Sequence, residues 1–111
     1  MLVAIIEYEL NPGADTEFET HLAALLPRLS TIDGFLRAEP ARSLGRPARL
    51  YEISYWRDAA ALARWAADPA HARAMAAGRE RLLAWYRIQV AEVVRDWSVG
   101  ALPEDVALVP L

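Results

Sequence analysis

Two segments of this chain are apolar on both of their faces. In Leu2–Leu10 the alternate residues Leu2, Ala4, Ile6, Tyr8 and Leu10 form one apolar row, and Val3 and Ile5 add apolar groups to the opposite one. In Leu50–Trp56 the row Tyr51, Ile53, Tyr55 is backed by Leu50 and Trp56 on the other side. Their period of two and their β-branched and aromatic content make both segments strands. A strand with one wet face alternates apolar with polar residues. These do not, so the sheet that holds them must be covered on both sides.

The rest of the chain supplies cover for one side. Asn11-Pro12-Gly13 is turn chemistry, and Thr16 and Glu19 have capping-box spacing. Phe18, Leu22, Leu25, Leu26 and Leu29 then form one helical face, with Pro27 expected to kink or end the helix. Asp33-Gly34 is a turn before a second strand, Phe35–Leu44, in which Pro40 implies an edge or a bulge. Gly45-Arg46-Pro47 is the hairpin loop. Asp58 caps a short helix, Ala59–Ala67, and Asp68-Pro69 opens a longer one expected from about Ala70 to Trp85. A fourth strand is expected over Ile88–Trp97. The order βαββαβ is the ferredoxin-like α+β pattern, one four-stranded antiparallel sheet with its helices on one face. The uncovered face then calls for a second copy, an obligate homodimer packed sheet to sheet. The apolar tail, with Val106, Leu108, Val109 and Leu111, is placed to reach over that partner.

Composition narrows the chemistry. The chain has 111 residues, suited to one domain with one modest core. It contains no Cys, which removes disulfides, thiolate nucleophiles and iron–sulfur clusters. It contains no Lys, which removes Schiff-base chemistry. His21 and His71 are its only imidazoles, so one chain cannot build a three-histidine metal site. The net charge of −3 gives no basic footprint for nucleic acid. No apolar run is long enough to span a bilayer, and the apolar start lacks the basic flank of a signal peptide. The expected location is the cytoplasm.

Several landmarks recur together: Gly34-Phe35, Ser54-Tyr55-Trp56, Ala61-Leu62, Trp65, His71, Gly78-Arg79-Glu80, Tyr86-Arg87, and Val93 through Arg95-Asp96-Trp97. In these the chain resembles the antibiotic biosynthesis monooxygenase (ABM) domain family, one of the dimeric α+β barrel families. The resemblance covers residues 1–97, and the extension 98–111 lies outside it. It implies a ligand pocket between sheet and helices, and either of two activities: cofactor-free oxygenation of aromatic polyketides, or oxidative haem breakdown. Trp56 matches the Trp that ends the third strand in the family. The polyketide oxygenases carry an Asn four residues earlier, where this chain has Glu52, and a second-helix Arg where it has Met75. The haem-degrading members share Trp65, but their haem-ligating His again falls on Met75, and their first-strand Asn falls near Ile6.

The candidate site follows from these residues. His71 shares a stripe with Met75 and Leu82 that faces the sheet. It is either a hydrogen-bonded wall residue or a base for a bound phenol or enol. Glu52 shares a strand face with Ser54 and Trp56. It is either exposed or paired with an Arg, or else a pocket carboxylate with a raised pKa. Arg79 either bridges to Glu52 or anchors a substrate oxyanion, a task Tyr55 could share. Trp56, Trp65 and Trp85, with Tyr55 and Tyr86, would form a flat slot for a planar ligand. His21 is expected to be exposed. The expectation is a cofactor-independent monooxygenase acting with O2 on an aromatic, polyketide-like small molecule. His71 and Glu52 would be catalytic, and Trp56, Trp65, Tyr55, Ser54, Met75, Arg79 and Tyr86 substrate-binding. No metal or cofactor is expected. The alternatives are a haem-binding or haem-degrading protein and a non-catalytic ligand-binding dimer.

Overall fold

The computed structural model describes residues 1–107. In chain order they form β1 (Leu2–Leu10), α1 (Asp15–Leu29), β2 (Phe35–Arg42), β3 (Leu50–Trp56), α2 (Ala59–Ala67) and α3 (Pro69–Ala77), then a π-helical turn (Gly78–Leu82) and β4 (Leu83–Glu92). The sheet is antiparallel with strand order β2-β3-β1-β4. The two strands that are apolar on both faces therefore take its centre. Pro40 lies in β2, an edge strand, where a missing N–H costs no ladder bond on the solvent side. This is the ferredoxin-like α+β architecture.

Register sorts the side chains. Leu2, Ala4, Ile6 and Tyr8 face Trp56, Ser54, Glu52 and Leu50 across the β1–β3 pair, and this face meets the helices. There Trp56 is completely buried, with Ala4, Ala61 and Trp65 around it and Leu25, Leu29 and Phe35 against them. Gly34 is confined by this packing: its φ is +92°, and a Cβ would lie 2.5 Å from the Ala61 Cβ.

The helices start where the acidic caps put them. The Asp58 carboxylate accepts the Ala61 N–H at 2.9 Å. Asp68 accepts the Ala70 and His71 N–H groups at 3.0 and 3.1 Å, and Arg28 of α1 grips the same carboxylate at 2.6 Å. One buried side chain thus starts α3 and ties α1 to it.

Four local expectations are corrected. The capping box does not form: Ala14 precedes α1 without a side-chain cap, because the turn closed by Ala14 N–H to the Asn11 carbonyl starts the helix earlier. Pro27 falls in the last turn of α1, which runs on to Leu29. β2 stops at Arg42. The largest correction concerns the second long helix. It ends at Ala77 rather than near Trp85, widens into the π turn, and gives way to β4 at Leu83, so the last strand is Leu83–Glu92 instead of Ile88–Trp97. Pairing decides this: Tyr86, Ile88 and Val90 lie opposite Tyr8, Ile6 and Ala4, and completing the β1 edge outweighs the helical period of Leu82 and Trp85. Trp97 consequently lies beyond the sheet and is exposed.

The other sheet face is more polar than the sequence pattern suggested. Val3, Ile5, Ile53 and Tyr55 form its apolar centre, and Glu7 anchors a charged margin. Glu7 accepts hydrogen bonds from Tyr51 at 3.0 Å and from Arg87 at 2.7 Å, and Arg49 approaches it at 4.0 Å. Arg37 stacks over Tyr55. Of the tail residues proposed to reach a partner, Val106 is partly exposed, while Leu108, Val109 and Leu111 lie outside the described residues. Among the described residues no helix is long and apolar enough to cross a membrane.

Candidate functional site

Between α1, α3 and the helix-facing side of the sheet lies a chamber of about 150 Å³ with a mainly apolar lining. Several elements line it. β3 contributes Glu52 and Ser54, α3 contributes His71 and Met75, and the π turn contributes Gly78 and Arg79. Tyr86 arrives from β4, not from a helix. The extra residue in a π turn swings the chain outward. Here that widening carries Gly78 and Leu82 along the chamber wall before the strand begins.

The aromatic residues stack in sequence toward the chamber. Phe35 meets Trp56 edge-on with centroids 5.3 Å apart. Trp56 lies 6.4 Å from Trp65 with the rings 27° from parallel, and Trp65 lies 4.4 Å from His71 at 28°. Only the last two rings reach the chamber. Trp56 does not line it as the slot expectation required, because Trp65 stands between. Its indole N–H is satisfied by the Ser54 hydroxyl at 2.8 Å. Tyr55 and Trp85 are also misplaced by that expectation: strand alternation points Tyr55 to the opposite face, beside Val3 and under Arg37, and Trp85 lies under Arg49, outside the chamber lining.

His71 turns one ring nitrogen inward. Nδ1 is buried without a hydrogen-bond partner, and the ring lines the chamber. Burial pushes the imidazole pKa down, against the weaker opposing pull of the Trp65 carbonyl and the Asp68 carboxylate. His71 is therefore neutral at physiological pH and able to accept a proton.

Glu52 has neither of the bland environments considered for it. Its Oε1 accepts the Tyr8 hydroxyl at 3.0 Å, and no arginine bridges to it; Arg79 lines the chamber separately. Burial raises the carboxyl pKa, and the Tyr8 hydrogen bond offsets part of that rise. Tyr8 itself is 3% exposed and packs against Phe18 at 5.2 Å. Burial and the Glu52 charge push its phenol well above the ordinary range. Tyr8 therefore stays a donor.

Sequence reasoning passed over Tyr8, Phe18 and His21 as site residues. Tyr8 was legible as a member of the helix-facing row, but its bond to Glu52 was not. His21 lines the chamber while staying about a third exposed, with Nε2 at 3.6 Å from Glu17. Its spacing, three after Phe18 and four before Leu25, was the available signal.

The fold and these positions can be set beside known proteins. A sequence model of the antibiotic biosynthesis monooxygenase family matches residues 1–77. The chain belongs to the antibiotic biosynthesis monooxygenase family. A jasmonate monooxygenase from Pyricularia oryzae is 34% identical over 93 residues, 84% of this chain and 43% of that protein. The chain thus spans less than half the length of this curated relative. A crystal structure of a Pseudomonas aeruginosa protein superposes with a TM-score of 0.71 at 26% identity, covering 85% of this chain and 94% of that one. SnoaB, a cofactor-independent oxygenase from Streptomyces nogalater, shares the fold with a TM-score of 0.71 at 18% identity, covering 86% and 94%. Among the described residues of this ABM protein no group of three metal-ligating side chains occurs.

Proposed function

We propose that this ABM protein is a cofactor-independent monooxygenase that oxidises an electron-rich phenol or enol with O2. The observation that carries the reading is one apolar chamber holding two proton-handling groups, a histidine kept neutral and a carboxyl kept weakly acidic. Environments that push two titratable groups away from their ordinary values mark acid and base roles. His71 is the first choice as base and Glu52 the second.

The chemistry needs little more. His71 takes a proton from the activated carbon–hydrogen or oxygen–hydrogen bond. The substrate anion passes one electron to O2, and the resulting radical and superoxide combine into a peroxide on carbon. The peroxide takes up the proton, and removal of the second hydrogen from that carbon expels water and leaves a carbonyl. One oxygen atom enters the product and the other leaves as water. A water-poor chamber strengthens the hydrogen bonds that steady the anion, and Ser54, Glu52 and Arg79 are the polar groups at hand. Met75, Trp65 and Tyr86 supply the apolar wall.

Haem suits this chamber poorly. Met75 stands where the family resemblance places the haem ligand of the haem-degrading members. The apolar centre of the outer sheet face supports a homodimer in which that face packs on a second copy.

Oxygen uptake with simple phenols and anthrones tests the reading. His71→Ala is expected to lower turnover about 10²–10⁴-fold. In the parent protein the rate should rise with pH through a pKa below the ordinary histidine value, since only neutral His71 accepts the proton, and that limb should vanish in the variant. Unchanged oxygen uptake by His71→Ala removes His71 as the base.

A further inference from the structure

A second cavity of about 340 Å³ adjoins the first and shares Tyr8, Phe18, Leu22 and Glu52 with it. It opens toward the β2–β3 hairpin, where Pro40, Ala41, Arg42 and Ala48 complete its wall. The two cavities are halves of one cleft beneath α1, and the hydrogen-bonded Tyr8–Glu52 pair stands where they meet. That pair is held firmly: Tyr8 is almost wholly buried and braced by Phe18.

Size then decides what each half can hold. An apolar cavity of about 150 Å³ accommodates one benzene ring. The inner chamber is of that size, so a single ring fills the space beside His71. A fused polycycle is larger than this space and presses on Tyr8 and Glu52. The two halves together come within the range of ordinary ligand pockets, about 300–1,000 Å³. The outer half is also electrostatically one-sided. Asp15, Glu19 and Glu52 line it with carboxylates against one guanidinium, Arg42, which also donates to the Pro47 carbonyl. An anionic group entering there meets more carboxylates than the one guanidinium can offset.

We infer that the Tyr8–Glu52 pair is a partition that selects a substrate with one oxidisable ring and an uncharged polar arm, and rejects fused polycycles and carboxylate-bearing arms. This rests on the reading of the inner chamber as the substrate site and narrows the substrate class given there. The ring stacks beside His71 and Trp65, its hydroxyl meets Glu52, and the arm passes the partition into the outer half. Tyr8 acts in this partition only as a specificity device, whereas Glu52 also meets the substrate hydroxyl.

Binding can be read without turnover, from the imidazole NMR signals of His71 and the indole fluorescence of Trp65. The probes are tyrosol, which has one ring and a neutral hydroxyethyl arm; para-hydroxyphenylacetate, with an anionic arm; and dihydroxyanthrone, with three fused rings. The parent protein is expected to bind tyrosol at least about tenfold more tightly than either of the others, with His71 shifted. Tyr8→Ala should raise dihydroxyanthrone affinity by at least about tenfold and erase the size preference. Should that variant not fold, Glu52→Ala opens the same partition from β3. Equal binding of tyrosol and dihydroxyanthrone by the parent protein overturns the partition while leaving the site reading intact. So does an unchanged preference in the opened variant. If no probe moves His71, the site reading fails and the partition fails with it.

Discussion

At the scale of single residues, this ABM protein separates side chains that hold the fold from those poised for chemistry, although they are neighbours. Trp56 has no exposed surface and touches Phe35, Trp65 and Ser54, so its work is packing and one satisfied N–H. Trp56→Ala is expected to destabilise the protein by about 3–5 kcal/mol, read from denaturant midpoints. Glu52 behaves in the opposite way. Its raised pKa means that the folded state holds the proton more tightly than the unfolded one, so its contribution favours folding below the ordinary carboxyl pKa and is lost as pH rises through the folded value. At neutral pH the ionised, half-buried carboxylate is a burden. Glu52→Gln keeps an acceptor for the Tyr8 hydroxyl and removes the charge. The expected result is a higher melting temperature than the parent at pH 8, a gap that narrows toward pH 4, and loss of turnover. A variant no more stable than the parent at pH 8 contradicts this account.

At the scale of elements, the junction between α2 and α3 matters most, because it positions His71. Asp68 accepts two N–H groups of α3 and the Arg28 guanidinium of α1. The Arg28 partner, with the N–H donors, holds its carboxyl down at about 2. A depressed carboxyl stabilises the fold above its unfolded pKa and loses that contribution as pH falls through the folded value. The relevant window is therefore about pH 4 down to about 2. Asp68→Asn retains a capping oxygen but has nothing to titrate. Its melting temperature should be lower than the parent's at pH 7 and should lose part of the parent's acid dependence between those limits. The same junction shows how far local pattern carries: Asp58, Asp68 and Pro69 mark both helix starts in the sequence itself, because capping is decided within three residues. The end of α3 is not marked so. The run from Leu82 to Val90 satisfies a helical and a strand period together, and only the vacant edge of β1 chooses between them.

At the scale of the whole molecule, the outer sheet face remains to be covered. Its apolar centre of Val3, Ile5, Ile53 and Tyr55, ringed by Glu7, Arg37, Arg49 and Arg87, suits a self-complementary contact between two copies. Sedimentation at micromolar concentration is expected to show a dimer, and Ile5→Arg together with Ile53→Arg to yield folded monomers. A monomeric parent protein excludes this assembly. The sequence alone determined most strand and helix types, the βαββαβ order, which residues share a strand face, and the facing of the His71 stripe toward the sheet. Each of these is set by periodicity or capping among residues close in the chain. Only the tertiary structure decided that β4 begins at Leu83, that Trp65 screens Trp56 from the chamber, and that Tyr8, 44 residues away, is the partner of Glu52. Strand register and helix packing create those contacts, and no local pattern encodes which distant residue will stand opposite.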